Sequence, residues 1–331
     1  MKAIQIKQTG GPEVMELVDL PVPQPKSNEA VVKIKAAGVN FIDVYNREGR
    51  YKAPLPMVLG QEGAGVILAL GSDLPKEARG LAVGDPVAYT MTLGSYAEYA
   101  AVPADRLVKI PAGVSERDAA AAMLQGMTAH YLCHDTFPLK KGDTALIHAA
   151  AGGVGLLLVQ MAHNLGARVI ATVSTGEKAK LARDAGADDI ILYTQVDFET
   201  ETKRLLSEKS PGGKGVDVVY DSVGKTTFDK GLNLLRPRGM MVLFGGSSGA
   251  VAPLDPLVLT QKGSIFLTRP SLGNYIATAA ELQARAGAVF GMIRDGKLKL
   301  RSEHFYPLAE AQQAHRDLEG RRTTGKLLLI P

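Results

Sequence analysis

Residues 144–175 constrain the fold of this chain more than any other stretch. A short apolar run (145–149) leads into a glycine cluster at Gly152, Gly153 and Gly155. An apolar run (156–165) stopped by Gly166 and a β-branched run (169–173) follow. The pattern is strand, turn, helix, strand, a βαβ unit of about 30 residues. Ala150, Gly152 and Gly155 stand at the three positions of a G-x-G-x-x-G fingerprint, with alanine in the first. Small residues there let the backbone approach a pyrophosphate seated on the positive N-terminus of the following helix. A glycine-rich turn can also be purely structural, and it is the flanking strand-like runs that favour a dinucleotide. Residues 145–162 contain no Asp, Glu, Lys or Arg, a length that would suit a membrane span; the central glycine cluster and the strand-turn-helix pattern argue against one.

A chain of 331 residues is long for a single core and suits two domains. With 46% hydrophobic and 22% charged residues it is expected to be an ordinary soluble globular protein. The net charge of +4 is mild and the basic residues are scattered, so no nucleic-acid patch is indicated. Lys2 and Lys7 interrupt a strand-like alternation after Met1, which leaves no targeting segment and points to the cytoplasm. The single cysteine, Cys133, excludes an internal disulfide and a cysteine-rich zinc cluster. It lies in an apolar-periodic run (119–134) and reads as a small buried hydrophobe.

Residues 1–8, 14–20, 29–37, 58–67, 85–89 and 95–102 read as strands, with Pro21, Pro23 and Pro25 forming an extended connector. This half, residues 1–124, is expected to be a mainly β barrel or sandwich. The texture changes at the Ala-rich helix 119–134. Beyond the opening stretch, strands at 190–193, 216–221, 240–244 and 264–267 alternate with helices near 177–185, 199–209 and 227–235. The alternation predicts a doubly wound, six-stranded parallel sheet over residues 125–268. A long helix (274–294) and strand and helix pieces at 297–300, 308–318 and 327–330 form a segment, 269–331, expected to return to the first domain.

Several motifs carry a family likeness. They are Ala-Ala-Gly-Val-Asn-Phe-Ile-Asp (36–43), Gly-Gln-Glu-Gly-Ala-Gly-Val (60–66), Leu-Gln-Gly-Met-Thr-Ala (124–129), His-Ala-Ala-Ala-Gly-Gly-Val-Gly (148–155) and Tyr-Asp-Ser-Val-Gly (220–224). Phe-Gly-Gly-Ser-Ser-Gly (244–249), Thr-Arg-Pro-Ser (268–271) and Gly-Lys-Leu-Leu-Leu-Ile-Pro (325–331) extend it over essentially the whole chain. With these the chain resembles the medium-chain dehydrogenase/reductase superfamily, and within it the zinc-free quinone oxidoreductases, the zeta-crystallin-like branch. The resemblance implies a GroES-like catalytic domain, an NADPH-binding Rossmann domain, a cleft between them, and a homodimer through strand 264–267. Where zinc alcohol dehydrogenases carry a cysteine ligand this chain has Asn40, and where they have Gly-His-Glu it has Gly60-Gln61-Glu62. A tetrahedral catalytic zinc then lacks a ligand set, and the four-cysteine structural lobe is missing too. His130 and His134, the only i, i+4 histidine pair, are expected to pack or lie at the surface.

The residues after the second strand of the βαβ unit bear on cofactor choice. Ser174-Thr175-Gly176 offers no carboxylate for a ribose 2′-hydroxyl, and Lys178 follows, which favours the 2′-phosphate of NADPH. The resemblance implies that Ser174, Lys178, Tyr193 and Arg321 surround that phosphate. Arg321 reads equally as a solvated surface residue, which for Lys178 is the weaker reading, and Glu177 is near enough to meet a ribose. Gly152, Gly153, Val154 and Gly155 form the pyrophosphate cradle. Ser222, Phe244, Gly245 and Ser247 follow later strands, where ligands of such sheets sit, and are expected to border the nicotinamide. Around the nicotinamide and substrate the resemblance places Asn40, Asp43, Tyr45, Tyr51 and Gln61. Asn40 and Gln61 bring amide donors, and the tyrosines a flat wall with a hydroxyl tip. Asp43 reads equally as a helix cap, and Tyr51 as loop packing. The expected activity is reduction of a quinone by NADPH without a metal. The alternatives are an alkenal or enone reductase, and a non-enzymatic NADPH-binding structural or RNA-binding protein, since relatives in this branch are recruited to such roles.

Overall fold

A computed structural model describes residues 1–209 and 215–331. The βαβ unit forms as strand Thr144–Ile147, helix Gly153–Asn164 and strand Arg168–Val173, the two strands parallel and in register from Thr144 opposite Arg168. It is the centre of a six-stranded parallel sheet. In spatial order the strands are Asp189–Leu192, Arg168–Val173, Thr144–Ile147, Val216–Asp221, Leu235–Leu243 and Phe266–Thr268. Chain progression therefore reverses between Thr144–Ile147 and Val216–Asp221, the switch point at which doubly wound sheets take their ligands. The central strands are near-continuous apolar runs because helices cover both faces of such a sheet. Ala145, Leu146 and Ile147, Val169 to Ala171, and Val218 to Tyr220 are all fully buried. Leu146, Ile170, Phe198, Val219, Phe228 and Met241 belong to one core cluster.

The chain divides into two compact units, one of residues Thr128–Asn274 and the other of Met1–Met127 with Tyr275–Pro331. The first change of unit falls inside the helix Glu116–Tyr131. In the second-named unit, strand Glu29–Val39 pairs antiparallel with Glu62–Leu70, Tyr99–Pro103 and Leu327–Ile330. Pro86–Thr90, Val108–Lys109 and His304–Pro307 complete a seven-stranded sheet. Glu16–Asp19, Lys2–Ile6 and Met57–Val58 make a smaller one. Ile4, Val32, Ile34, Leu59, Ile67, Tyr89, Tyr96 and Leu329 are part of its core. Pairing of Glu29–Val39 with Glu62–Leu70 runs as far as Ala37 opposite Gly63, with two register shifts. It requires glycine at 65, where a Cβ would lie 1.9 Å from the Lys33 carbonyl oxygen. The consequence is local: Asn40, just past the end of one strand, lies beside Glu62 at the start of the other.

Some sequence expectations change. The helix expected over 274–294 is two helices, Leu272–Tyr275 and Ala279–Arg294, because Thr278 starts the second with a capping box. Thr278 Oγ1 accepts from the Glu281 N–H at 3.2 Å and Glu281 Oε2 from the Thr278 N–H at 2.9 Å. Residues 297–300 are not a strand. The final strand of the parallel sheet is Phe266–Thr268, not 264–267, since Ser264 takes a left-handed φ of 56° that no strand accommodates. The strand expected from residue 95 is Tyr99–Pro103. The Ala-rich helix ends at Tyr131, with a π-turn over Leu132–Thr136. Among the described residues no helix is long and apolar enough to cross a membrane.

Candidate active site

The glycine turn at the start of helix Gly153–Asn164 is built by close backbone contacts. Ala149 is left-handed (φ 50°), and the chain folds back so that the Gly152 N–H reaches the Ala149 carbonyl at 2.9 Å. Gly152 is the N-cap. A Cβ on Gly155 would lie 2.3 Å from the Ala149 oxygen and 2.8 Å from the Ala150 Cα, so only glycine lets the first helical turn close on the strand end. At Gly152 a Cβ would come within 3.1 Å of the same Ala149 oxygen, a tight contact that glycine relieves. The first N–H groups of the helix, at Gly153, Val154 and Gly155, have no intrahelical acceptor and are suited to an anion.

Beside this turn, strand Arg168–Val173 ends and Thr175 caps helix Gly176–Asp184, its Oγ1 accepting from the Lys178 N–H at 3.3 Å. Lys178 thus lies in the first turn of that helix. Tyr193 follows the neighbouring strand and donates its N–H to Val173 at 3.1 Å; Thr194 Oγ1 donates to the Ser174 carbonyl at 2.8 Å. Ser174, Lys178 and Tyr193 are therefore grouped at the carboxyl ends of adjoining strands, with Glu177 exposed among them. Arg321 belongs to the other unit, where it follows helix Ala311–Glu319 with a left-handed φ of 57°.

The two later strands end in interlocked loops. Asp221 is fully buried and organises the first: Oδ1 accepts from the N–H groups of Val223 (2.7 Å) and Gly224 (3.0 Å), and Oδ2 from Thr227 Oγ1 (2.7 Å). The second loop is tied to it through Phe244 N–H to the Asp221 carbonyl (2.9 Å), Ser247 N–H to Ser222 (3.1 Å) and Ser248 Oγ to Val223 (2.7 Å). A Cβ at Gly245 would lie 2.5 Å from the Ser222 carbonyl oxygen. Ser222, Phe244, Gly245 and Ser247 are thus held together at the carboxyl edge of the sheet. His148 ends the first strand, bonded to Thr172 Oγ1 at 2.9 Å and edge-on to Phe198; burial pushes its pKa down, so the ring is neutral.

The polar groups of the other unit form a different kind of site. Asn40 is the N-cap of helix Phe41–Arg47, and its N–H donates to Asp43 Oδ2 at 2.9 Å. Asp43 is therefore not the cap itself; at the third helical position its carboxylate closes a capping box on Asn40. The Asn40 side chain does not offer the free amide donor expected of it. Its Nδ2 donates to Glu62 Oε2 (2.8 Å) and Gly38 O (3.3 Å), and its Oδ1 accepts from Lys326 Nζ (2.7 Å) and Gln125 Nε2 (3.4 Å). The Lys326 ammonium also bonds Glu62 Oε2, and both residues are buried. Burial pulls the lysine pKa down and the glutamate carboxylate opposes this. Gln61 is 8% exposed and, among the described residues, its side-chain amide has no hydrogen-bond partner, although its carbonyl accepts from Thr90 and Met91. On the same helix as Asn40's cap, the nearly buried Tyr45 packs edge-on against the half-exposed Tyr51, ring centroids 6.0 Å apart, with the Arg50 guanidinium 4.9 Å from its centroid.

Behind Asp43 runs a buried chain with a fixed direction. Arg47 Nη1 can only donate, so His315 Nδ1, 2.8 Å away, accepts; His315 Nε2–H then donates to the Tyr96 hydroxyl (3.1 Å), which donates to Asp43 Oδ2 (3.0 Å). Glu319 anchors the arginine at 2.7 Å. Burial and Arg47 push the His315 pKa to about 3, and burial pushes Asp43 up to about 7. Neither Lys326 nor the chain Arg47–His315–Tyr96 was expected as part of the site. A signal for Lys326 was present, since a lone lysine heads an otherwise apolar strand, Leu327–Ile330.

The chain matches two family descriptions, an alcohol dehydrogenase GroES-like domain over residues 26–112 and a zinc-binding dehydrogenase over residues 153–282. It is 45% identical to a quinone oxidoreductase of Pseudomonas aeruginosa, the match covering 100% of this chain and 99% of that protein. Among solved structures, a quinone oxidoreductase of Escherichia coli complexed with NADPH is 43% identical with a TM-score of 0.95, and covers 100% of both chains. A mycobacterial protein complexed with NADPH is 46% identical, again with a TM-score of 0.95 and full coverage of both chains.

The raised pKa of Asp43 has a measurable consequence for stability. The unfolded carboxyl releases its proton near 3.8 and the folded one near 7, so the native state binds the extra proton between these values. Stability from this group is present below pH about 4 and is lost as pH rises through 7. We predict that Asp43→Asn gains stability relative to the unsubstituted protein as pH rises from 4 to 8, by up to about 4 kcal/mol for about 3 units at 1.36 kcal/mol each. His315 acts in the opposite sense in both proteins and cancels in the comparison. Melting temperatures across this range will check it; a difference that does not change with pH refutes it.

Proposed function

Because the chain belongs to the quinone oxidoreductase family of the medium-chain dehydrogenase/reductase superfamily, we propose that it reduces quinones with NADPH and uses no metal. The observation that carries the metal-free part is the Lys326 ammonium bonded to both Asn40 and Glu62. A zinc ion there would have two carboxamides and an already paired carboxylate as donors, and would face a fixed positive charge. That set does not suit tetrahedral zinc. Among the described residues no group of three or more His, Cys, Asp or Glu side chains is placed to hold a metal.

NADPH, when bound, supplies a hydride. Gly152, Gly153, Val154 and Gly155 receive its pyrophosphate on the helix N-terminus, and Ser174, Lys178 and Tyr193 its 2′-phosphate. Ser222, Phe244, Gly245 and Ser247 border the nicotinamide. The unbonded Gln61 amide orients the acceptor oxygen, and Tyr45 and Tyr51 supply a flat apolar wall. A quinone suits these groups because the anion it forms is phenolate-like, with a conjugate acid of pKa about 10, whereas the conjugate acid of an alkoxide resembles water at about 15.7. At 1.36 kcal/mol per unit the difference is roughly 8 kcal/mol of stabilisation that the protein need not provide.

NADPH oxidation over a panel of quinones and enones, with elemental analysis and a chelator control, tests the whole reading. Quinone turnover with two-electron stoichiometry and no effect of chelation is expected. Stoichiometric zinc whose removal abolishes turnover overturns it, as does oxidation of an unactivated alcohol without quinone turnover. Faster turnover of enones selects the enone reading instead, and NADPH binding with no turnover at all selects the non-enzymatic one.

Cofactor preference is tested at Lys178. A charge-assisted contact to phosphate is worth roughly 1.5–3 kcal/mol, so Lys178→Ala should raise the NADPH dissociation constant about tenfold or more and leave NADH nearly unchanged. Equal weakening of both cofactors counts against the assignment.

The edge strand Phe266–Thr268 presents Phe266, 55% exposed, and Leu267, 36% exposed. An unpaired edge with apolar side chains is suited to pairing with its two-fold mate, and we assign a homodimer to it. Sedimentation should give a dimer at micromolar concentration that Phe266→Pro converts to monomer. A monomeric parent protein, or a dimer indifferent to the proline, argues for another state.

A further inference from the structure

We infer that Lys326 is a positioning residue for this reaction: its buried ammonium closes a ring of hydrogen bonds with the Asn40 carboxamide and the Glu62 carboxylate, and through them it sets Tyr45 and Gln61. The inference rests on the quinone-reductase reading given above.

The ring has three sides, Lys326 Nζ to Asn40 Oδ1 at 2.7 Å, Asn40 Nδ2 to Glu62 Oε2 at 2.8 Å, and Lys326 Nζ to Glu62 Oε2. From outside the ring the Leu124 N–H donates to Glu62 Oε1 (2.5 Å) and Gln125 Nε2 donates to Asn40 Oδ1 (3.4 Å). The ring rests directly on the backbone at Gly38, where a Cβ would lie 2.1 Å from Glu62 Oε2 and 2.7 Å from Lys326 Nζ. The ammonium, which has no acceptor, dictates which way the Asn40 carboxamide points; a flipped amide would set NH₂ against NH₃⁺. Both ends of the ring lead to groups proposed to meet the acceptor. Asn40 caps the helix that carries Tyr45 about one turn further on, and Glu62 follows Gln61 directly in the chain.

Stability alone does not call for this arrangement. Desolvating an ammonium and a carboxylate is costly, and apolar side chains of similar volume often replace a buried pair with no loss. What apolar side chains cannot reproduce is a fixed orientation of the Asn40 carboxamide and of the Glu62 backbone beside Gln61. Such preorganised dipoles favour a reaction in which negative charge develops on a nearby oxygen, because nothing has to reorganise as it does so.

The test removes both charges together, so that neither is left buried without its partner. The double variant Lys326→Met with Glu62→Gln and the single variant Lys326→Arg are compared with the parent protein in melting temperature, NADPH affinity by fluorescence, quinone KM, kcat and single-turnover hydride-transfer rate. The double variant should melt near the parent protein and bind NADPH within about twofold, with kcat and the single-turnover rate reduced about tenfold or more. Lys326→Arg keeps the charge, but its planar head cannot close the same ring. It should lose kcat several-fold with KM and NADPH affinity unchanged, and it decides the matter should the double variant not fold. Parent-level kcat in either folded variant overturns the inference while leaving the quinone-reductase reading intact. A parent protein that turns over no quinone overturns that reading, and the inference with it.

Discussion

A buried ammonium must find a carboxylate, and here the partners are 264 residues apart in sequence. Lys326 reaches Glu62 only because the last strand, Leu327–Ile330, pairs with Glu29–Val39, which in turn pairs with Glu62–Leu70. The same three strands bring Asn40 into the ring. Return of residues 275–331 to the unit that begins with Met1–Met127 is therefore a condition for the polar site and not only for its sheet. Leaving one member of a buried ion pair alone costs several kcal/mol, so this pairing is strongly coupled to the folding of the unit.

The two units solve different problems. In the parallel sheet the central strands are buried on both faces, and side chains have little part in the cradle; the ligand surface is backbone, exposed where Gly152 and Gly155 allow the chain to turn tightly. In the mainly β unit the site is made of side chains whose partners are themselves side chains. Asn40, Glu62 and Lys326 bond one another, while Asp43, Tyr96, His315 and Arg47 form a second chain behind them. Because Arg47 cannot accept a hydrogen bond, that chain is locked in one direction. It orients the helix Phe41–Arg47 and does not serve as a path along which a proton is exchanged with the surface.

Within the polar site, this distribution of bonds separates two carboxamides that the sequence treats alike. Asn40 has every donor and acceptor engaged, whereas Gln61 retains its amide. A group that already has partners is lost to a substrate, and a nearly buried amide without one is available for it.

Local patterns alone determined the parallel sheet, the glycine turn and the missing carboxylate after Val173, because each depends on residues close together in the chain. Runs of β-branched residues, a fingerprint of small residues and the 3.6-residue period are all read within about 30 residues. Local chemistry that competes with a period was harder to read. Thr278 and Glu281 divided an expected helix, and the left-handed Ser264 shortened an expected strand. The partners of Asn40 were beyond reach from sequence. Lys326, Tyr96 and His315 carry no motif, and which polar group saturates which is fixed by strand register across hundreds of residues. Register and burial belong to the tertiary structure, and they decided that Asn40 is held and Gln61 is left unbonded.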